Sequence, residues 1–189
     1  MDILRIDANN FLSSDKLCTY AFEIKGFEAI LFANTDKHIP EVIEKFLFYS
    51  GFISRIVDEN SVLLYEKEQD KPYLYELAKI QPSQFYVSRA KLESVKKWIK
   101  SNKDIMIPVL IKDGQAISLD GHTRMKAAAQ LSYTHVYIYP DEYDNSIFDF
   151  VEEAKKRHIY SVFDMEILDS KDYELKWDKF CDDFFAAKL

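Results

Sequence analysis

Residues 117–124 read Ile117-Ser118-Leu119-Asp120-Gly121-His122-Thr123-Arg124: the end of an alternating strand, a glycine turn, and the approach to a helix. Glycine at the apex of a strand-to-helix turn leaves several backbone N–H groups at the helix start without intrahelical partners. Those donors and the positive end of the helix dipole suit an anion. Thr123 adds a hydroxyl, Arg124 a permanent forked donor matched to phosphate, and His122 a ring that donates or accepts. Asp120 is placed to hold a metal, orient His122, or accept a proton from a hydroxyl substrate. Lys126 lies near the same helix start. Five consecutive residues of this kind are poor core material, and they point to phosphate or nucleotide as the ligand.

Upstream, 105–111 reads as a strand whose Pro108 suggests an edge or an end. Asp113-Gly114 makes the hairpin turn into a strand over 115–119. A helix around 91–100 has Ser88 as N-cap and Leu92, Val95, Trp98 and Ile99 at helical spacing. Ile80-Gln81-Pro82-Ser83-Gln84 opens the segment. Downstream, a helix over 125–131 and a strand over 134–139 complete it. Residues 141–189 read as mainly helical, around 147–157 and 171–187, with Phe148, Val151, Ala154, Leu175, Trp177, Phe180 and Phe184 to bury. Residues 1–70 read as a small ββαββ-like unit. Its strands fall at 20–24, 28–32, 52–57 and 61–65. Its helix starts at Ile39-Pro40, with proline in the first turn, and Gly51 is expected to close it as a left-handed residue. The charged run 66–72 reads as a linker. The expected fold class is α+β, in three segments: 1–70, 77–140, and an acidic helical extension over 141–189.

The charge follows the same division. The 189 residues carry 25 basic and 32 acidic side chains, and 48% are apolar. These fractions exclude collagen-like and disordered classes. Residues 1–78 are −6, 79–140 are +6 and 141–189 are −7. The acidic flanks disfavour an extended nucleic-acid footprint, because they repel a phosphate backbone. Cys18 and Cys181 lie far apart with no ligand spacing, which reads as incidental thiols of a cytoplasmic protein rather than a zinc site. No segment reads as a signal peptide, and no run of apolar residues is long enough to cross a membrane. The lysines at 91, 96, 97, 100 and 103 read as a solvated helix face that could also extend a cationic surface. His38, His135 and His158 lack ligand-spaced partners, and Asp182-Asp183 sits on an amphipathic helix rather than in a nuclease metal site.

The run 79–139 resembles the ParB/sulfiredoxin fold, known as the ParB-like nuclease domain. The resemblance rests on the order of Ile80-Gln81-Pro82-Ser83-Gln84, the helix around 91–100, the strand Ile107-Pro108-Val109-Leu110-Ile111, and the turn Asp120-Gly121-His122-Thr123-Arg124. It covers about a third of the chain. It implies a nucleotide phosphate (ATP, ADP or CTP, with Mg²⁺) at Gly121, His122, Thr123, Arg124 and Lys126, with Ser83 and Gln84 lining the site. Asp120 and His122 are then the catalytic candidates, and Asp120 the metal contact. Sulfiredoxins carry a catalytic cysteine where this chain has His122, and histidine cannot supply a thiolate nucleophile. Free-serine kinases of the superfamily carry a DGHHR turn, the nearest motif match, and their catalytic glutamate aligns with Gln84, which cannot act as a general base. The implied activity is a small-molecule phosphotransferase or nucleotide hydrolase. Two alternatives stand beside it: a nucleic-acid-associated module or nuclease, and a non-catalytic adaptor that binds protein through the N-terminal unit or the acidic tail.

Overall fold

The computed structural model describes residues 2–14, 17–68, 70–143 and 145–187. Gln69, within the expected linker, lies outside the described residues. The chain forms two compact units, Met1–Pro72 and Tyr73–Leu189, and is a mixed α+β protein.

The first unit is a six-stranded sheet in sequence order, with one helix packed on it. The strands are β1 (Ile3–Arg5), β2 (Asn10–Ser14), β3 (Thr19–Lys25), β4 (Glu28–Ala33), β5 (Arg55–Asp58) and β6 (Leu63–Glu66). All neighbours are antiparallel except β4 and β5, which are parallel across the crossover helix α1 (Ile39–Tyr49). β1 and β2 extend the ββαββ pattern. Their short runs, interrupted by Asp7 and two asparagines, carry too little alternation to be read from sequence. Phe46 of α1 stacks on Phe22, with ring centroids 4.1 Å apart, and meets Phe11 edge-on at 5.2 Å. Gly51 is not left-handed. The helix closes instead through the Ser50 N–H donating to the Leu47 carbonyl, and the Ile53 N–H donates back to Ser50, so no positive φ is needed. Phe52 and Ile53, expected in a strand, are buried between helix and strand.

The second unit is built on a five-stranded sheet. Its members are β7 (Tyr73–Glu76), β8 (Ile80–Gln81), β10 (Met106–Lys112), β11 (Gln115–Ser118) and β12 (His135–Pro140), in the order β7-β12-β10-β11-β8. β9 (Tyr86–Ser88) pairs separately with β13 (Glu166–Leu168). The helices are α2 (Arg89–Lys96), α3 (His122–Gln130), α4 (Ser146–Lys156), α5 (Ser170–Tyr173) and α6 (Lys179–Ala186), with a π-helical turn, Glu174–Asp178, between the last two. Ser88 caps α2 as expected, accepting from the Lys91 N–H. Asp113 and Gly114 both have positive φ, the requirement of a type I′ hairpin.

β10 is central, not an edge strand, despite Pro108. Because a strand residue's N–H and C=O project to the same side, the missing donor of Pro108 faces the β11 side. There the Pro108 carbonyl accepts from the Leu119 N–H just as β11 leaves the ladder. The proline therefore removes a bond where the ladder is already ending.

The core of this unit lies between the sheet and α2 and α3. Ile105, Ile107, Val109, Met125, Ala127, Ala128, Val136 and Ile138 are buried in it. The alanine stripe of α3 lets the helix approach the strands closely. The acidic C-terminal segment is anchored by aromatic contacts: Phe85 meets Trp177 and Phe180 edge-on, both at 4.9 Å, and Arg157 lies over the Phe85 ring at 4.4 Å. No helix among the described residues is long and apolar enough to cross a membrane.

Candidate functional site

α3 begins at His122, so His122, Thr123 and Arg124 form its first turn rather than a loop leading to it, and the expected start at 125 moves three residues earlier. Gly121 is the N-cap with φ +80°, and no side chain caps the helix. A Cβ built there would lie 2.8 Å from Ile107 Cδ1 and 3.1 Å from Arg124 Nη2. Glycine is required twice over, by the left-handed backbone and by the close approach to β10.

Asp120 and Arg124 face each other across this cap. Arg124 Nη2 donates to Asp120 Oδ2 at 3.0 Å, while Nη1 donates to the Met106 carbonyl at 2.6 Å. The Arg124 side chain is 12% exposed and that of Asp120 78%. The cation is thus held inward by β10, and the carboxylate stands outward. Surrounding protein opposes the ionised Asp120, but the Arg124 charge, the Gly121 N–H and His122 outweigh that and hold its carboxyl below the usual range. Tyr139, at the end of β12, is buried beside the same charges. Its burial pushes the phenol up, with Arg124 opposing and Asp141 and Asp120 reinforcing.

His122 points into the protein. The Ser83 N–H donates to its Nε2 at 3.2 Å, so Nε2 is an acceptor and the ring proton sits on Nδ1. Ser118 Oγ, 2.9 Å away, donates to the same nitrogen. Ser83 Oγ lies 3.1 Å from it and donates to the Ser118 carbonyl at 2.7 Å. Burial pushes the imidazole down to about 4, Asp120 partly opposing and Arg124 reinforcing. The ring is neutral at pH 7 and ties α3 to β11 and to the loop after β8.

The remaining candidates are dispersed. Gln84 donates from Nε2 to the Tyr86 carbonyl at 2.5 Å and to the Tyr173 hydroxyl at 3.0 Å. Lys126 Nζ donates to the carbonyls of Val162 and Phe163 at 3.0 and 3.3 Å, and burial lowers its pKa, with Asp164 opposing. It closes the short helical turn Val162–Asp164 rather than extending the charge at the cap. Thr123 is half-buried in the first turn of α3. The structure therefore brings Asp120, Gly121, Thr123 and Arg124 together at one helix start, places His122 and Ser83 beneath it, and engages Gln84 and Lys126 elsewhere. Sequence reasoning missed Ser118, Tyr139 and the Met106 carbonyl. Ser118 alone left a trace, as a polar residue inside an apolar strand.

Among the described residues no group of three histidine, cysteine or acidic side chains is arranged to hold a metal ion. Asp120 is the one candidate examined on chemistry: an ionised, outward carboxylate suits Mg²⁺ only where substrate phosphates and water complete the shell.

No family model matches the chain, and no curated protein matches it. Among solved structures it is similar to protein Atu1540 from Agrobacterium tumefaciens, at 16% identity and a TM-score of 0.38, over 52% of this chain and 62% of that one. The chain thus covers less than two thirds of that protein's length.

Proposed function

We propose that the second unit is a ParB/sulfiredoxin-like module that binds the phosphate of a nucleotide or phosphorylated small molecule at the start of α3. The observation that carries this reading is the uncapped N-terminus at Gly121, beside a guanidinium held in place by Met106 and Asp120. The N–H groups of the first turn are fixed donors, and the dipole adds partial positive charge at the same point. Arg124 supplies a full charge, already oriented, so binding loses little side-chain freedom. His122 acts here as a positioning residue that braces the cap from beneath. Asp120 is the group left to orient an acceptor hydroxyl or a nucleotide-borne Mg²⁺. Its low pKa makes it a better orienting group than base.

A second reading has its own support. Gln84, aligned with the kinase glutamate, spends its amide on Tyr86 and Tyr173, and Lys126 is bonded away from the cap. Phosphate binding without transfer, as in an adaptor, fits those facts.

Thermal unfolding with ATP, ADP or CTP, each with and without Mg²⁺, tests the first reading. A rise in Tm is expected with at least one nucleotide, and its loss in Arg124→Ala. If no nucleotide shifts the wild-type Tm, the reading is wrong. A shift without phosphate release or transfer selects the adaptor.

A further inference from the structure

The sheet of the first unit has two faces with different fates. Phe11, Ser13, Tyr20, Phe22, Ile24, Ala29, Leu31 and Ile56 point to the α1 side and are buried. The opposite face is set by the register. Leu4 pairs with Leu12, Leu12 with Ala21, and Ala21 with Phe32, giving one row across four strands. Ile30 pairs with Val57 in the next row. Among the described residues of this unit α1 is the sole helix, and it lies on the other face. Leu4 stays 63% exposed and Phe32 39%. An apolar row across the middle of a sheet, rather than scattered single residues, marks an interaction surface.

The charges beside that row indicate what it meets. Lys25, Glu28, Arg55 and Glu66 lie side by side on β3, β4, β5 and β6 of the same face, in the order plus, minus, plus, minus. Within the chain Arg55 lies 3.5 Å from Glu28 and 4.0 Å from Glu66. Such a series is self-complementary. A two-fold axis along the strand direction between β4 and β5 turns the face over onto a copy of itself. It sets Glu28 opposite the copy's Arg55, Lys25 opposite the copy's Glu66, and Ile30 opposite the copy's Val57. A single-sign partner would meet like charge at half of these positions.

We propose that this open face binds a second copy of the chain, sheet against sheet, to form a two-fold symmetric dimer. Strand spacing and rise give the face a footprint of roughly 500–700 Å² per copy. That is below the ~800 Å² per partner of a standard stable interface. The dimer is therefore a weak, concentration-dependent one with a Kd in the micromolar range.

Analytical ultracentrifugation of the full chain over a concentration series tests this. The weight-average mass is expected to rise from 22.2 kDa toward twice that value. Phe32→Glu, at an exposed position, should keep the wild-type circular dichroism spectrum and hold the mass at the monomer value across the series. Arg55→Glu should weaken association at least tenfold, and adding Glu28→Arg to it should restore part of the loss. A wild type that stays monomeric into the high-micromolar range overturns the proposal. So does a dimer indifferent to both Phe32→Glu and Arg55→Glu, since that dimer uses another surface.

Discussion

Arg124 reaches from the first turn of α3 to the carbonyl of Met106, 2.6 Å away at the start of β10. One side chain thereby joins the helix that begins at the glycine turn to the central strand of the sheet. It also fixes a positive charge beside the uncapped helix end. Removing it should be felt twice. Arg124→Ala leaves a carbonyl without its charged donor and Asp120 without its counter-ion, a loss of about 1–3 kcal/mol in denaturant unfolding. Arg124→Lys should recover part of that stability but not the nucleotide-induced Tm shift, because a single ammonium cannot serve both contacts.

Gly121→Ala should cost more than Gly26→Ala. Both glycines have positive φ, but a Cβ at Gly26 meets nothing within 4 Å, whereas at Gly121 it lies 2.8 Å from Ile107 Cδ1. The backbone penalty alone is about 1–2 kcal/mol. Equal losses for the two variants in urea melts would show that β10 yields easily at Ile107.

The His122 ring predicts a specific loss of stability in mild acid. Its pKa falls from 6.5 to about 4 on folding, so the unfolded chain binds the extra proton. Stability from this group is intact above pH 6.5, declines as pH falls toward 4, and is flat below that. The whole window is worth about 3 kcal/mol at most. Denaturant midpoints between pH 7 and pH 4 should show the decline in wild type and a shallower slope in His122→Gln. Parallel slopes would place the acid sensitivity elsewhere.

Restoring a carboxylate at position 84 should not create a kinase. Gln84→Glu replaces an amide donor facing the Tyr86 carbonyl with an acceptor. It should destabilise the second unit by about 1–3 kcal/mol. Measured phosphotransfer from ATP should stay at the wild-type level. A gain of activity would show that the position faces substrate once it is charged.

Much of this protein was legible in its residues because the deciding signals are local. Asp113-Gly114 announces its hairpin, Ser88 its helix cap, and the alternation through 19–25 and 28–33 its two strands, each through a preference that acts within a few residues. The turn at Gly121 was legible as a helix start rich in donors for the same reason. β1, β2 and β13 were not, since strands of three to five residues are held by their neighbours rather than by their own pattern.

What the chain determines by itself is the set of local possibilities: a glycine turn feeding a helix, an arginine on its first turn, and a basic segment between acidic ones. Which polar groups face outward was decided only by the tertiary structure. His122 and Arg124 are two residues apart on one helical turn, yet Ser83 and Ser118 hold the first in the interior while Met106 and Asp120 hold the second at the cap. Those partners come from strands and loops distant in sequence. A buried polar group settles where its hydrogen bonds can be completed, so the division of labour within one turn is set by what packs against it.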